Sequence, residues 1–206
     1  MFYRTDQPHG LPRNPFNALV APRPIGWISS VDAQGRVNLA PYSFFNAVAY
    51  VPPQVMYAST GNHSEGGLKD TARNIQETGE FVVNLATWTL REAMNRSSAP
   101  APHGTDEFEL AGLTAVPSSE VAPPRVKESP VHLECRMTQV VTLKSANPEE
   151  PNLVTFGEVV GIHIDDAVLE DGFVKPERLD LISRLGYMDY ARVSDVFTMD
   201  RPSWPG

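Results

Sequence analysis

The sequence predicts a mainly β protein, an antiparallel barrel of six strands with a few short helices. Nineteen prolines among 206 residues limit the length of any helix, because proline lacks the amide hydrogen that a helix interior needs. Short runs rich in β-branched and aromatic residues, typical of strands, lie between the prolines. Helices do not alternate regularly with these runs, which argues against a doubly wound parallel sheet. A closed or nearly closed antiparallel barrel is favoured because closure removes exposed strand edges.

The strands are expected in the following places. Residues 25–31 and 36–40 form a hairpin around a turn at residues 32–35. Four further strands are predicted at 54–59, 80–85, 131–143 and 152–164.

Three short helices are predicted. The first spans residues 70–78, with Asp70 as the N-cap and Gly79 at its end. The other two are expected at 87–96 and 177–183. Residues 117–130 read as a long exposed loop inside a single domain, 1–206, with an N-terminal arm at 1–20 and a C-terminal tail at 193–206.

Composition excludes several classes of protein. Seventeen basic against twenty-five acidic residues give a net charge of −8, which argues against binding to nucleic acid phosphates. No apolar run approaches the ~20 residues of a membrane span, and the N-terminus has no apolar signal region. The single cysteine, Cys135, excludes an internal disulfide. We therefore expect a cytoplasmic protein that binds neither nucleic acid nor membrane.

Familiar catalytic motifs are missing from the sequence. It contains no GxGxxG, GxxxxGK[ST], GxSxG or HExxH pattern. Two His/acid pairs, His132 with Glu134 and His163 with Asp165, could meet a metal if their strands are neighbours. The residues alternating with these pairs are apolar, so we predict that the pairs lie on a solvated outer face and that no metal is bound.

Two stretches could bind a ligand. Residues 22–46 place small hydroxyls and aromatic rings on adjoining strands, a combination that would accept a planar ring with polar edges. Alternatively, these aromatics are barrel core. The second stretch, 59–71, joins short polar side chains and two glycines to a helix start bearing Lys69, which would accept a phosphate. Asp70 opposes an anion there, and an ordinary capped surface helix is the alternative.

These stretches carry a resemblance to a known family. The strings RPIGWISSVDAQGRVNLAPYSFFNAV, KDTARNIQETGEFVVNL, DEFELAGLTAVPS and ESPVHLEC occur in this order, and the match covers about residues 22–192. Together they resemble the flavin reductase-like (flavoredoxin-type) family. The resemblance implies an FMN-binding split barrel of Greek-key type, and a homodimer with the flavin near the subunit interface.

The resemblance also implies the residues around the cofactor. The flavin ring would lie against the first strand of the hairpin, at Trp27, Ile28, Ser29 and Ser30. The segment after the hairpin would border the ring and the ribityl chain, at Ser43, Phe44, Phe45 and Asn46. The phosphate would be surrounded by Ser59, Asn62, His63, Ser64, Lys69, Asp70 and Thr71. Many relatives carry an arginine in this loop, where the present chain has Gly61-Asn62-His63-Ser64. Phosphate binding would then depend more on Lys69 and Thr71.

By the same resemblance, NADH or NADPH would be the cosubstrate. Arg184 to Tyr187 and Tyr190 would line the nicotinamide side, or would form a turn that packs one tyrosine on the barrel. Hydride transfer from nicotinamide to flavin requires close stacking of the two rings but no general acid or base, so no catalytic residue is predicted. Reduced flavin could be passed to a partner monooxygenase or to a small-molecule acceptor. The alternative function is an FMN-binding electron carrier without NAD(P)H turnover.

Overall fold

The computed structural model of the chain describes residues 1–204, so the last two residues of the predicted tail lie outside the described part. Its strands are β1 Gly26–Val31, β2 Val37–Tyr42, β3 Phe45–Tyr50, β4 Pro53–Thr60, β5 Glu80–Leu85, β6 Ala115–Val116, β7 Arg125–Val126, β8 Val131–Leu143, β9 Asn152–Ile164, β10 Leu169–Glu170, β11 Phe173–Val174, β12 Ile182–Arg184 and β13 Tyr190–Arg192. Its α-helices are α1 Phe16–Leu19, α2 Asp70–Thr78, α3 Arg91–Arg96, α4 Glu107–Ala111 and α5 Pro176–Leu179. A single 3₁₀ turn spans Asp166–Val168.

Seven strands form one antiparallel sheet, in the order β2-β1-β5-β8-β9-β4-β3. All six predicted strands belong to it, and the predicted hairpin is β1 with β2. The seventh strand, β3, pairs with β4 and was not predicted. Its alanines, Ala47 and Ala49, weaken the strand pattern because alanine is depleted in strands. The sheet therefore has seven strands rather than six, and β2 and β3 remain as open edges, so the expected closure of the barrel is not seen in residues 1–204.

Two hydrophobic clusters lie on opposite faces of β1. Trp27 packs with Leu39, Met94 and Phe108, on the side of α3 and α4. The other cluster, on the side of α2, contains Ile28, Tyr57, Ile75 and Phe81. Successive side chains of a strand point to opposite faces, so a central strand covered on both faces is buried along its whole length.

The helices differ from the predictions mainly at their boundaries. Helix α2 spans the predicted residues and ends at Gly79, whose φ of 77° is the left-handed conformation that glycine adopts readily. Helix α3 begins later than predicted, at Arg91. The third predicted helix is wrong in its second half, because residues 182–184 form strand β12. Helix α4 was not predicted, although Asp106 caps it by accepting from the amide of Phe108 at 2.8 Å.

The loop at 117–130 is not simply exposed, and the predicted solvated face is wrong for His132 and Glu134, whereas Asp165 is exposed and the side chain of His163 is 28% exposed. Glu134 has no exposed surface and His132 is 5% exposed. The loop covers them: the amides of Ser119 and Glu120 donate to the Glu134 carboxylate at 2.8 and 2.6 Å. The polar positions of β8 are thus paired with the backbone of the loop instead of with water.

No helix within residues 1–204 combines the length and the apolar character needed to cross a membrane.

Candidate functional site

Strand β1, which the sequence predicts to meet a planar ring, lies inside the sheet. Its four predicted residues are fully buried: Trp27, Ile28, Ser29 and Ser30. The indole of Trp27 donates to Ser97 Oγ at 2.9 Å, and Ser30 Oγ accepts from Asn74 at 3.2 Å. The backbone of residues 26–29 pairs with β2 on one side and β5 on the other. The structure therefore does not bring these four side chains to the wall of a cavity.

The predicted phosphate residues, by contrast, line one cavity of about 250 Å³ between the end of β2, the loop 61–69 and α2. We call it the Lys69 cavity. Six predicted residues lie in its wall: Asn62, His63, Ser64, Lys69, Asp70 and Thr71. Ser59 is buried instead. Thr71 is also buried, with 1% of its surface exposed, and its hydroxyl accepts from the side-chain amide of Asn38 at 2.7 Å.

The start of α2 offers a cation and unpaired amides to this cavity. Lys69 occupies the N-cap position with φ −59° and ψ 146°, and its side chain makes no capping bond. The first helical hydrogen bond runs from the amide of Arg73 to the carbonyl of Lys69. The amides that precede Arg73 in the first turn have no acceptor within the helix. Burial lowers the pKa of the Lys69 ammonium, as expected for a lysine that lines a partly closed cavity.

Asp70 is the first helical residue and not the predicted N-cap. Its carboxylate bonds to the guanidinium of Arg73 and to His103 Nδ1, the latter at 2.7 Å. These bonds hold Asp70 to two side chains and not to the amides of its own helix. The negative charge of Asp70 is therefore partly balanced, although it remains in the cavity wall.

His63, Asp70 and His103 come close enough to suggest a metal site, with candidate ligand atoms within 4.8 Å of one another. However, His63 Nε2 lies 3.0 Å from the carbonyl of Ala101, and its Nδ1 accepts from the amide of Glu65 at 3.1 Å. His103 Nδ1 is bonded to Asp70, and the two rings stack with centroids 3.6 Å apart. The nitrogens are thus engaged inside the protein, and the three residues do not fit a metal as they stand.

The remaining predicted ring residues lie along a groove of about 560 Å³, here called the Phe44 groove. Its wall includes Ser43, Phe44, Phe45 and Asn46. Arg23 closes the groove: it is 7% exposed, its Nε lies 3.4 Å from Ser43 Oγ, and its Cζ lies 5.7 Å from the centroid of Phe44. Burial and the nearby charge of Arg184 lower the pKa of Arg23. This arginine bonds to carbonyl oxygens of the arm and of Leu185, so it ties both ends of the chain to the groove.

A cavity of about 170 Å³ joins these two places. It shares Pro41 and Ser98 with the Lys69 cavity and Ser43 with the Phe44 groove. It also contains Arg184 and Tyr190, which the sequence placed on the nicotinamide side. We call it the middle cavity. The structure therefore brings the phosphate group of residues, Ser43 and the C-terminal motif onto one surface.

An arginine-rich cavity of about 300 Å³ continues this surface beyond Arg184 and Tyr190. We call it the Trp88 cavity. Arg91 Cζ lies 4.1 Å from the centroid of Trp88, and Arg184 Cζ lies 4.5 Å from that of Tyr190. Guanidinium groups stacked on aromatic rings are a common surface for anionic and planar ligands.

Sequence reasoning missed one charged residue of the Lys69 cavity, Glu107. It is 7% exposed, and its Oε2 accepts from the amide of Leu39 at 2.9 Å. No signal in the sequence points to it, because a glutamate in the first turn of a helix is usually solvated and stabilises the helix dipole.

Comparison with known proteins identifies the family. Residues 19–189 match the model of the flavin reductase like domain. The chain belongs to the flavin reductase-like family. The resemblance seen in the sequence is thereby confirmed, and family membership supports an oxidoreductase that uses a flavin.

Individual relatives give the same result. An uncharacterised protein of Halalkalibacterium halodurans is 39% identical over 184 residues, covering 89% of this chain and 88% of its own. The structure of nitrilotriacetate monooxygenase component B from Bacillus cereus is 31% identical, with a TM-score of 0.87 over 97% of this chain and 98% of that one. Pseudomonas fluorescens 2-nitrobenzoate 2-nitroreductase is 28% identical, with a TM-score of 0.75 over 93% and 90% of the two chains.

Proposed function

We propose that the protein binds FMN along the surface from the Lys69 cavity to the middle cavity, and that NADH or NADPH reduces it there. One observation carries this proposal: Pro41 and Ser98 line both the Lys69 cavity and the middle cavity, so the two cavities are neighbours. The Lys69 cavity has the cation and the helix start that suit a phosphate. The middle cavity has apolar side chains, Ile25 and Met94 among them, that suit a flavin ring.

The residues present fit the two ends of FMN. Lys69 and the unpaired amides at the start of α2 would hold the phosphate. Pro41 and Ser43, with the neighbouring Phe44 to Asn46, would border the ring and the ribityl chain. The buried residues of β1 would support these contacts from behind, since Trp27 and Ser30 hold Ser97 and Asn74 in place.

Chemically, bound FMN would supply the acceptor for a hydride. The task of the chain is then to position two rings and to exclude water. Arg184 and Tyr190, shared by the middle and Trp88 cavities, would border the nicotinamide, and Arg91 lies where the anionic part of a dinucleotide could reach. No side chain has to move a proton for this step.

An anaerobic titration tests this function. We expect one of the two pyridine nucleotides to bleach the flavin absorbance of the FMN-loaded protein within seconds. Replacing Arg184 with glutamine should raise KM for the nucleotide, whereas the exposed Arg4, paired with Asp6 far along the arm, provides a matched arginine control. A protein that binds FMN but is not bleached by either nucleotide would contradict the reductase proposal.

One observation favours the alternative, an FMN-binding electron carrier. The guanidinium of Arg184 already donates to the carbonyl of Tyr187 and the hydroxyl of Tyr190, and Arg192 pairs with Asp180. If these bonds persist, the Trp88 cavity has little free charge for a dinucleotide. The same anaerobic titration separates the two functions, because a carrier would be reduced by dithionite but not by NADH or NADPH.

Partners follow from the same proposal. The Bacillus cereus relative is named as a component of a monooxygenase, and we propose that this chain too could deliver reduced flavin to a monooxygenase or to a small-molecule acceptor. We further propose a cytoplasmic homodimer, with the flavin surface close to the interface. Exposed apolar residues on β3 and in the tail support the dimer.

A further inference from the structure

Glu107 is a buried carboxylate in a cavity proposed to receive a phosphate. It lies in the first turn of α4 and lines the Lys69 cavity, where its carboxylate accepts a hydrogen bond from the amide of Leu39. Helix α4 packs against β2 and α3, which fixes its position. The proposed FMN site thus contains a negative charge that neither holds the phosphate nor forms a salt bridge with Lys69.

The charges that face Glu107 leave it poorly compensated. Asp106 precedes it on its own helix, and Asp70 and Lys69 face it from α2. From β2 comes the hydroxyl of Tyr42, whose pKa burial raises to about 12. His63, in the loop 61–69, is bonded to backbone groups. Arg96 of α3 donates to the carbonyl of Ala111 and not to Glu107. Among the lining residues are two carboxylates and one ammonium group, and the guanidinium of Arg73 pairs with Asp70 and not with Glu107.

This environment brings the titration of Glu107 into the neutral range. Burial, reinforced by the charges of Asp70 and Asp106, raises its pKa to about 7, although the Leu39 amide opposes the shift. The residue is therefore protonated below neutral pH and ionised above it, whereas an ordinary glutamate is ionised throughout this range.

We propose that Glu107 controls access of the FMN phosphate to the Lys69 cavity, admitting it when protonated and repelling it when ionised. This inference rests on the proposed function. Its consequence is that FMN is retained in mildly acidic solution and becomes exchangeable above neutrality. The chain would then handle flavin as a substrate that leaves, which is what delivery to a separate acceptor requires.

The test compares flavin affinities of Glu107→Gln and the wild type, measured by quenching of flavin fluorescence on flavin-free protein. Glutamine keeps an oxygen for the Leu39 amide and removes the charge. At about pH 8 we expect Glu107→Gln to bind FMN roughly tenfold more tightly than the wild type. At about pH 6, where the wild-type carboxyl is protonated, the two should bind FMN alike. Riboflavin, which lacks the phosphate, should show no difference at either pH.

Glu109→Gln is the matched control, since Glu109 lies on the same helix but is exposed. It should bind FMN like the wild type at both pH values. Comparing variants at one pH also cancels the ionisation of the phosphate itself, whose second pKa is ~6.

The outcomes separate the two proposals. Equal FMN affinities of Glu107→Gln and the wild type at both pH values, with binding still weakened by Lys69→Ala, would overturn the inference and leave the proposed function standing. No FMN binding by any variant would overturn both. If Glu107→Gln does not fold, the wild type decides: FMN that binds only beside a protonated Glu107 must raise the pKa of that carboxyl, and a carbon NMR titration in which FMN leaves the Glu107 midpoint unchanged would contradict the inference.

Discussion

Lys69 illustrates what single residues contribute and how far the sequence reveals them. A lysine before a helix, after two glycines, predicts a phosphate contact from local chemistry alone, and the structure places it in a cavity wall. Asp70 was wrongly predicted as the N-cap, because the sequence does not show that its carboxylate pairs with Arg73 and His103. Ser29 and Ser30 remain predicted flavin neighbours, and their burial could not be foreseen, because alternation cannot show that both faces of β1 are covered.

The first residue-scale prediction is that Lys69→Ala weakens FMN binding by roughly tenfold or more, because it removes a charge-assisted contact. Riboflavin affinity should hardly change, since it has no phosphate. Fluorescence titration of both flavins measures the difference. Lys127→Ala is the control, because Lys127 is exposed and lies outside the Lys69 cavity. Equal losses for the two flavins would place the phosphate elsewhere.

Among the elements, strands were predicted well and their surroundings poorly. β5, β8 and β9 have the predicted bounds because each contains several β-branched or aromatic residues. Strand β3 was missed, since its alanines carry no strand pattern, although Phe45 and Asn46 at its start were predicted to border the ring and do line the Phe44 groove. The covering of β8 by the loop 117–130 was also missed, because backbone amides that bond a distant carboxylate leave no trace in composition.

That loop provides an element-scale prediction centred on Glu134. Burial alone would raise its pKa, but the amides of Ser119 and Glu120 and the ring of His163 together lower it. A carboxylate with a lowered pKa stabilises the fold above its unfolded pKa of ~4.5, and this stability is lost as the pH falls through the folded value. Glu134→Ala should lower the free energy of unfolding at neutral pH by about 1–3 kcal/mol, because the amides of Ser119 and Glu120 lose their acceptor and His163 loses its partner.

Urea unfolding at several pH values measures this effect. The difference between wild type and Glu134→Ala should shrink in acid, as the wild-type carboxylate becomes protonated. Glu128→Ala provides a control in the same loop, since Glu128 is exposed and accepts only from the amide of Thr114. A Glu134→Ala variant as stable as the control at neutral pH would show that the loop is held by its apolar contacts instead.

At the scale of the whole molecule, the sheet and the cavities account for most of the chain, whereas the tail leaves apolar side chains uncovered, although the amide of Val193 donates to the carbonyl of Leu181. Residues 193–204 form no helix or strand, and several large apolar side chains there are exposed: Val193, Val196, Phe197, Met199 and Trp204. Tyr50 and Val51, at the end of β3, are 89% and 82% exposed. Apolar surface of this kind marks an interaction site, and the dimer proposed above predicts that a second copy of the chain covers both regions. The sequence alone could not show this, because exposure of an apolar residue depends on the fold around it.

Substituting the tail tests the proposed dimer without disturbing the sheet. We expect the wild type to sediment as a dimer, and Phe197→Glu combined with Met199→Glu to shift it towards monomer, since two charges would be buried in an apolar interface. Thr198→Glu, an exposed polar position between them, should remain dimeric and controls for added charge. Thermal unfolding of the separated monomer should still be cooperative, because the two hydrophobic clusters contain no tail residue. A wild type that sediments as a monomer at micromolar concentration would refute the dimer, and the FMN surface would then have to be complete within one chain.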